Sequence, residues 1–400
     1  VTSWIEVSEQ RLTENFRVAQ EILARETASS TALLAVIKAN AYGHGAGLCA
    51  PVLARAGAEW LGVTDAAEGA TVRTAMEVAG IAKAQQPRIL VMSGHLPVDV
   101  PVIVQHSLTP VVWRQQQMAA LAEAAGAEPC AVHLEIDSGM SRQGVALGGL
   151  RELLRWLANE PRIRLDGVMT HFASAEVAGS EQTLAQRKQF EAAVQLVAEA
   201  GLRPTWIHAG NTSMIDNGAD GDILAWLHGL AASVGARAMV REGLGLYGYA
   251  LPLEGLAVVA ERAARLRAVV RPVMTWKTRV IGISEVEAGA RVGYNGTFTA
   301  EKTMRLALLP VGYADGLRRE LGCSTWNRGG WVMFHVERAP IVGRVSMNLT
   351  TVDVTEIEGV AVGDEVVLLG EGSTAEDHAA LAGTISYEIL CGMRAPVVLV

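Results

Sequence analysis

Through about its first 245 residues the chain alternates short apolar, β-branched runs with stretches of helical spacing, and few folds accept that rhythm. The apolar runs are Leu33–Lys38, Trp60–Thr64, Arg88–Ser93, Leu108–Val112, Cys130–Ile136, Gly167–His171, Thr205–His208 and Met239–Leu244. Between them lie segments such as Glu181–Ala200, where Leu184, Phe190, Val194 and Val197 recur at helical spacing. Strands separated by helical patterns imply parallel β-α units. Eight such units predict a closed (β/α)8 barrel of the TIM type, with an open, doubly wound sheet as the structural rival.

Beyond about residue 260 the rhythm changes. Val269–Ile283, Met304–Val311, Trp331–Val336, Ala339–Val345, Thr350–Val354 and Glu365–Leu369 read as strands joined by short turns. The expected domains are therefore a barrel over residues 8–260 and a β-rich C-terminal domain over 261–400, with residues 1–7 free to join the second.

Half of the 400 residues are apolar, which suffices for a sizeable core, and a net charge of −8 is modest for the length. That balance speaks against a general nucleic-acid or anionic-membrane surface. Cys49, Cys130, Cys323 and Cys391 are far apart and form no C-x-x-C pair, so neither a disulfide lattice nor a metal site is expected. A reduced, cytoplasmic protein is the plain reading. The opening VTSWIEVSEQ lacks the basic and apolar regions of a secretion signal, although a start without Met leaves room for processing. No apolar run reaches about 18 residues, so no membrane span is expected.

In a barrel, functional groups gather where strands end and β-α loops begin. Those ends carry Lys38 with Tyr42, then Arg142, His171, His208 with Asn211 and Thr212, and Arg241 with Gly243. Lys38 is the sharpest of them. The chain has only five lysines, and this one closes the wholly apolar run Leu33–Ile37. Desolvation there lowers an amine's pKa and frees it to attack a carbonyl, whereas the bland reading is a strand-end lysine reaching into water. Gly43 and Gly45 in AVIKANAYGHG give the following loop room for a close backbone approach. Loops after the seventh and eighth strands, HAGNTS and REGLGLY, occupy the usual phosphate seat of a barrel, though their residues also suit ordinary turns. His171 and Arg142 are each open to a structural reading: a satisfied strand-end histidine, and an ion pair with Glu135 or Asp137. No G-x-S-x-G elbow, Walker loop or H-E-x-x-H occurs, which sets aside several common enzyme classes.

Taken together, these segments resemble the alanine racemases. AVIKANAYGHG is similar to that family's signature around the lysine that carries pyridoxal 5'-phosphate (PLP). The similarity continues in order through HLEIDSGMSRQG, THFASAE, HAGNTS, VREGLGLYGY, VGYNGTFTA, LLPVGYADGLRR, IVGRVSMN, VGDEVVLLG and ISYEIL. The resemblance implies an amino-acid racemase that interconverts L- and D-alanine, either supplying D-alanine for peptidoglycan precursors or serving D-alanine catabolism, and works as a homodimer with shared active sites. By the same resemblance, Lys38 forms the internal aldimine and is one of two acid-bases. Tyr294 is the other, supplied by the second subunit. Tyr42, Asn211, Thr212, Gly243, Leu244 and Tyr387 match the phosphate-binding set, and His171 lies beside the cofactor ring. Arg142 stands near the cofactor phenolic oxygen and the substrate carboxylate, which Met347 meets through its backbone. Arg241 bonds to the pyridine nitrogen, and Tyr313 with Arg319 lines the entrance.

The matched roles obey simple physics. Racemisation takes a proton from one face of a planar centre and returns one on the other, so two bases must face each other. A guanidinium at the ring nitrogen cannot give up its proton, which leaves that nitrogen unprotonated and weakens the electron sink. Arg241 thus favours a racemase over a transaminase or decarboxylase. A serine or broad-specificity racemase and a non-catalytic PLP-binding protein are the other readings, and the bulk of Tyr387 favours alanine over serine.

Several features depart from the family pattern: Thr212 stands where serine is usual, and the C-terminal RAPVVLV lacks the usual arginine and aromatic ending. Glu135 replaces a lysine that many relatives carry as a carbamate, which predicts that Glu135 holds Arg142 without bicarbonate. Ser346 stands in place of cysteine, Asn348 in place of aspartate and Glu242 in place of proline.

Overall fold

The computed structural model describes residues 3–27, 31–255, 263–324 and 329–400. By contacts they divide into two compact units. One is Leu12–Ala41 with Ala46–Arg271; the other is Val1–Arg11, Tyr42–Gly45 and Pro272–Val400. The boundary expected at residue 260 lies outside the described residues.

The first strand, β1 (Ser3–Val7), belongs to the second unit. The barrel begins with β2 (Ala32–Val36), β3 (Trp60–Val63), β4 (Arg88–Val91) and β5 (Thr109–Val112). It continues with β6 (Cys130–Glu135), β7 (Ile163–Met169), β8 (Trp206–Ala209) and β9 (Arg237–Glu242). Each strand is parallel to the next, and β9 pairs with β2 to close the ring. The (β/α)8 barrel expected from the apolar rhythm is therefore what forms. Closure explains why its strands read as near-continuous apolar runs: both faces are covered, one by the packed interior and one by helices.

Which residues point inward follows from contacts between strands that are not neighbours. Trp60 on β3 meets Trp206 on β8 edge-on, with ring centroids 6.0 Å apart. Arg88 at the start of β4 pairs with Asp166 on β7 at 2.7 Å. Only side chains inside the barrel can meet that way. The interior is thus apolar and aromatic with a polar thread.

The second unit is β-rich, as expected. Its strands are β10 (Met274–Arg279), β11 (Gly282–Val286), β12 (Arg291–Val292), β13 (Phe298–Thr299) and β14 (Met304–Leu309). The remainder are β15 (Trp331–Phe334), β16 (Glu337–Pro340), β17 (Thr350–Asp353), β18 (Glu365–Leu369) and β19 (Val397–Leu399). One six-stranded sheet runs in the order β16-β15-β18-β10-β1-β19, so the chain's two ends pair side by side. The run Val269–Ile283, expected as one strand, is interrupted: β10 stops at Arg279 and β11 starts at Gly282 in a different sheet. Two short helices, Ala375–Ala382 and Ser386–Cys391, escaped the sequence reading because each is too brief to show a period. No helix among the described residues is long and apolar enough to cross a membrane.

Candidate active site

Strand β2 ends at Val36, two residues before Lys38, whereas the sequence suggested that the run continued to it. Lys38 instead opens a single tight turn, Lys38–Tyr42. Ala39, Asn40 and Ala41 hold φ of 53–55° and ψ of 46–50°, and Tyr42 follows at φ 52°, so the turn is left-handed. For residues with a Cβ that hand costs about 1–2 kcal/mol each. The loop's conformational demand thus falls on four non-glycine residues, not only on Gly43 and Gly45. Local bonds offset the cost: the Ala41 amide donates to the Ile37 carbonyl at 2.8 Å, and the Asn40 amide to Glu68 Oε1 at 2.8 Å. Glu68 Oε2 also accepts from the Thr64 amide at 2.7 Å, tying the turn to the end of β3. Strain held by surrounding bonds is common where a side chain must be aimed.

Across the rim, Arg241 near the end of β9 is buried and fully engaged on one side. Its Nη2 donates to the Thr170 carbonyl at 2.8 Å and to His171 Nδ1 at 3.1 Å. Its Nη1 donates to His208 Nδ1 at 3.1 Å. Guanidinium has five N–H donors, so one on Nη1 and one on Nε remain for a ligand. Burial brings Arg241 down to about 10, with Glu135 opposing and Arg142 assisting, so it stays a cation at neutral pH. Burial first, then the charges of Arg241, Arg142 and Lys38, push His171 down to about 3. His171 is therefore neutral, and since its Nδ1 accepts from Arg241 its proton sits on Nε2.

Arg142 lies exposed in the loop after β6. Its expected clasp by Glu135 does not form: Glu135 accepts instead from Gln143 Nε2, which also donates to the Met92 carbonyl at 3.0 Å. Burial raises the Glu135 carboxyl, and Gln143, Arg241 and Arg142 work against that rise. Glutamate's arm is shorter than a carbamylated lysine's, which accounts for the change of partner. The Glu135 charge reaches Arg142 only at longer range.

The loops after β8 and β9 are stitched together by Thr212, whose Oγ1 accepts from the amides of Gly243 and Gly245, each at 3.2 Å. Asn211 caps the short helix Thr212–Asp216 by accepting from the Met214 amide at 3.3 Å. The Gly243 amide is thus engaged by Thr212, while the Leu244 amide opens the next helical turn, where amides lack an internal partner. The cradle is tight: a Cβ on Gly245 would come within 2.3 Å of Glu242 Oε1 and 3.1 Å of Thr212 Cγ2.

Glu242 itself is completely buried, and neither carboxyl oxygen has a hydrogen-bond partner. Burial raises its carboxyl well above the ordinary range, so the folded chain keeps it protonated. An acid whose folded pKa is raised loses stability as pH climbs above the unfolded value, because only the unfolded chain releases the proton. Glu242→Met, close in volume, is expected to stabilise the apo-protein more at pH 7 than at pH 5, because the buried acid becomes costlier to keep as the unfolded chain releases its proton. Urea unfolding at the two pH values measures it; a gap independent of pH would mean that Glu242 ionises in the fold.

In the second unit, the remaining expected residues fall into two groups. Tyr294, Tyr313, Arg319 and Met347 all line one cavity of about 980 Å³, together with Arg318 and Arg394. Tyr294 is 68% exposed and Met347 56% exposed in a single chain. The Met347 carbonyl accepts from the Ala314 amide at 2.9 Å, and Asn348 Nδ2 donates to Asp315 Oδ2 at 3.3 Å, which bind this turn to the Tyr313 segment. Tyr42 and Tyr387 form the second group, with rings 5.8 Å apart and tilted by 42°. Burial raises the Tyr42 phenol, with smaller upward contributions from Tyr387 and Cys391.

Sequence reasoning placed His208 on the rim without giving it a role, and passed over Thr170. Both hold Arg241. The available signal was their position at consecutive strand ends.

A closed barrel with an amine, a fixed guanidinium and a neutral imidazole on one rim, in a chain that also carries a β-rich unit, defines a barrel enzyme of acid-base chemistry. Two family patterns cover nearly the whole chain: "Alanine racemase, N-terminal domain" matches residues 7–251 and "Alanine racemase, C-terminal domain" residues 273–400. The chain belongs to the alanine racemase family, and it is an isomerase. It is 36% identical over 397 residues to the alanine racemase of Syntrophobacter fumaroxidans, covering 98% of this chain and 95% of the relative. Against that of Symbiobacterium thermophilum it is 35% identical over 399 residues, covering 98% and 94%. Among solved structures, the alanine racemase of Streptomyces coelicolor A3(2) superposes with a TM-score of 0.84 at 29% identity, covering 100% of this chain and 98% of that one.

Proposed function

We propose that the chain racemises alanine on PLP by a two-base mechanism, with Lys38 and Tyr294 as the bases. The observation that carries this reading is Arg241: three acceptors lock it in place, and its remaining donors are left for an acceptor such as a pyridine nitrogen. The residues present fit that cofactor. The cradle of Asn211, Thr212, Gly243 and Leu244 would hold its phosphate together with Tyr42 and Tyr387, and Lys38 would hold its aldehyde carbon. When bound, PLP supplies the conjugated ring over which electrons freed at the substrate Cα spread.

The chain's own residues do the rest. Arg241 would offer its remaining N–H groups to the ring nitrogen and, as a guanidinium, keep its proton, which would leave a weak sink suited to releasing the substrate as an amino acid. His171, being neutral, would stand beside the ring without adding charge. Arg142 and the Met347 backbone orient the substrate carboxylate. Lys38 Nζ takes or returns the proton on one face of Cα, and the Tyr294 hydroxyl does so on the other, each worth about 10²–10⁴-fold. The exposure of Tyr294 and Met347 in a single chain supports their use by a second copy, in a homodimer with shared sites. Tyr313 and Arg319 would then form the entrance. D-alanine supply for peptidoglycan precursors in the cytoplasm is the corresponding role, with no nucleic-acid or membrane partner.

The test is chiral chromatography of L-alanine incubated with the protein and PLP in carbonate-free buffer. D-alanine is expected to accumulate to equality, faster than D-serine forms from L-serine, and bicarbonate should add nothing because Glu135 already carries a carboxyl. PLP binding without any D-alanine would leave a cofactor-binding protein; a faster serine reaction would move the substrate.

A further inference from the structure

We infer that His133 and Asp166 are positioning residues for Arg241, acting through His208 along a thread of polar side chains inside the barrel. Its bearing on cofactor binding rests on the function proposed above. The thread begins at the strand-end rim, where Arg241 Nη1 donates to His208 Nδ1 at 3.1 Å. His208 Nε2 lies 2.8 Å from His133 Nδ1, and His133 Nε2 lies 3.6 Å from Asp166 Oδ2. Asp166 is anchored near the opposite mouth by Arg88 Nη2 at 2.7 Å and the Thr205 hydroxyl at 3.1 Å.

The order of protons along this thread has one consistent solution. A guanidinium can only donate, so His208 must present a bare Nδ1 to Arg241 and carry its proton on Nε2. That proton is donated to His133 Nδ1, which places the His133 proton on Nε2, facing the Asp166 carboxylate. Burial holds both imidazoles neutral, so neither can satisfy both neighbours as a donor. Were His133 to carry its proton on Nδ1 instead, His208 would be turned round and would aim an N–H at Arg241. Two donors would then face each other, and the guanidinium would swing away from the rim. The Asp166 carboxylate excludes that alternative, since it favours an N–H on the near nitrogen of His133. The 3.6 Å gap is too long for a strong hydrogen bond, so the carboxylate acts by its charge and not as a station for proton transfer.

The surrounding backbone is shaped for this arrangement. Between β6 and β7 the pairing jumps from Val132↔Leu165 to His133↔Gly167, leaving Asp166 as an extra residue. Such a bulge re-aims a side chain, here into the barrel. Next to it, a Cβ on Gly167 would sit 2.6 Å from the His133 ring, so only glycine leaves space for that imidazole. Trp60 packs on the other side of His133 at 5.0 Å between centroids, while Arg88 stacks over Trp60 at 4.0 Å.

The test is nitrogen-15 NMR of histidine-labelled, full-length protein without cofactor, joined to PLP titration. In the wild type, His208 and His133 are expected as neutral Nε2–H tautomers between pH 6 and 8. Asp166→Asn should mix the tautomers of both rings and weaken PLP binding about 10-fold, the scale of one hydrogen bond to a charged group. A wild-type His208 carrying its proton on Nδ1 overturns the inference, without need of any variant. So does an Asp166→Asn protein that melts earlier but keeps both tautomers and its PLP affinity, since that is what a purely structural role gives. Tautomers that shift in a protein showing no PLP binding would support the thread and sink the cofactor reading instead.

Discussion

Lys38→Ala is expected to abolish covalent attachment of PLP and to reduce racemisation in both directions by about 10⁴-fold or more, because one side chain provides both the anchor and a base. Nothing nearby replaces it: the other lysines are Lys83, Lys188, Lys277 and Lys302, and none follows a barrel strand. The left-handed turn should survive, since the bonds that hold it run through the backbone of Ala41 and Asn40 and the carboxyl of Glu68. The melting temperature of the apo-protein is therefore expected to stay within a few degrees of the wild type. Visible absorbance with added PLP, followed by reduction with borohydride and mass measurement, reads the attachment. A mass increase of cofactor size on Lys38→Ala would show that another amine carries PLP.

Tyr294→Phe is the complementary case. It removes one oxygen from a side chain that is 68% exposed, so neither packing nor PLP attachment should suffer. Turnover is expected to fall by about 10²–10⁴-fold, the usual contribution of a positioned acid-base group. The loss should appear in kcat more than in KM, because the hydroxyl acts on the proton and not on the carboxylate or the phosphate. Unchanged kcat would remove this phenol from the mechanism.

How much of this was legible in the sequence differs by level. The barrel was legible because parallel strands covered on both faces leave eight apolar runs, and every run falls on an observed strand. Lys38 was legible for a related reason: a charge closing such a run must sit at a strand end. Its left-handed turn was not, because Ala39, Asn40, Ala41 and Tyr42 include no glycine to mark a positive φ. The clasp of Glu135 on Gln143 was hidden too, since an arm about three bonds shorter than a carbamylated lysine's changes which neighbour is reached. The burial of Glu242 could be noticed only as an odd residue between Arg241 and Gly243; its lack of a partner depends on how the loop at Gly245 folds over it. Least legible was the thread through His133 and Asp166. Those residues lie on different strands, and only closure of the ring, with a bulge at Asp166, turns them toward one another.

Deuterium incorporation from heavy water into alanine, with the configuration of the product read on a chiral column, asks most directly whether two residues on opposite faces share the work. Wild-type protein should label Cα and invert it. Tyr294→Phe should still exchange the α-hydrogen of one enantiomer, through Lys38 alone, while inversion nearly stops. Exchange and inversion that fall together for both enantiomers, or that both persist, would contradict a division of labour between the amine and the phenol.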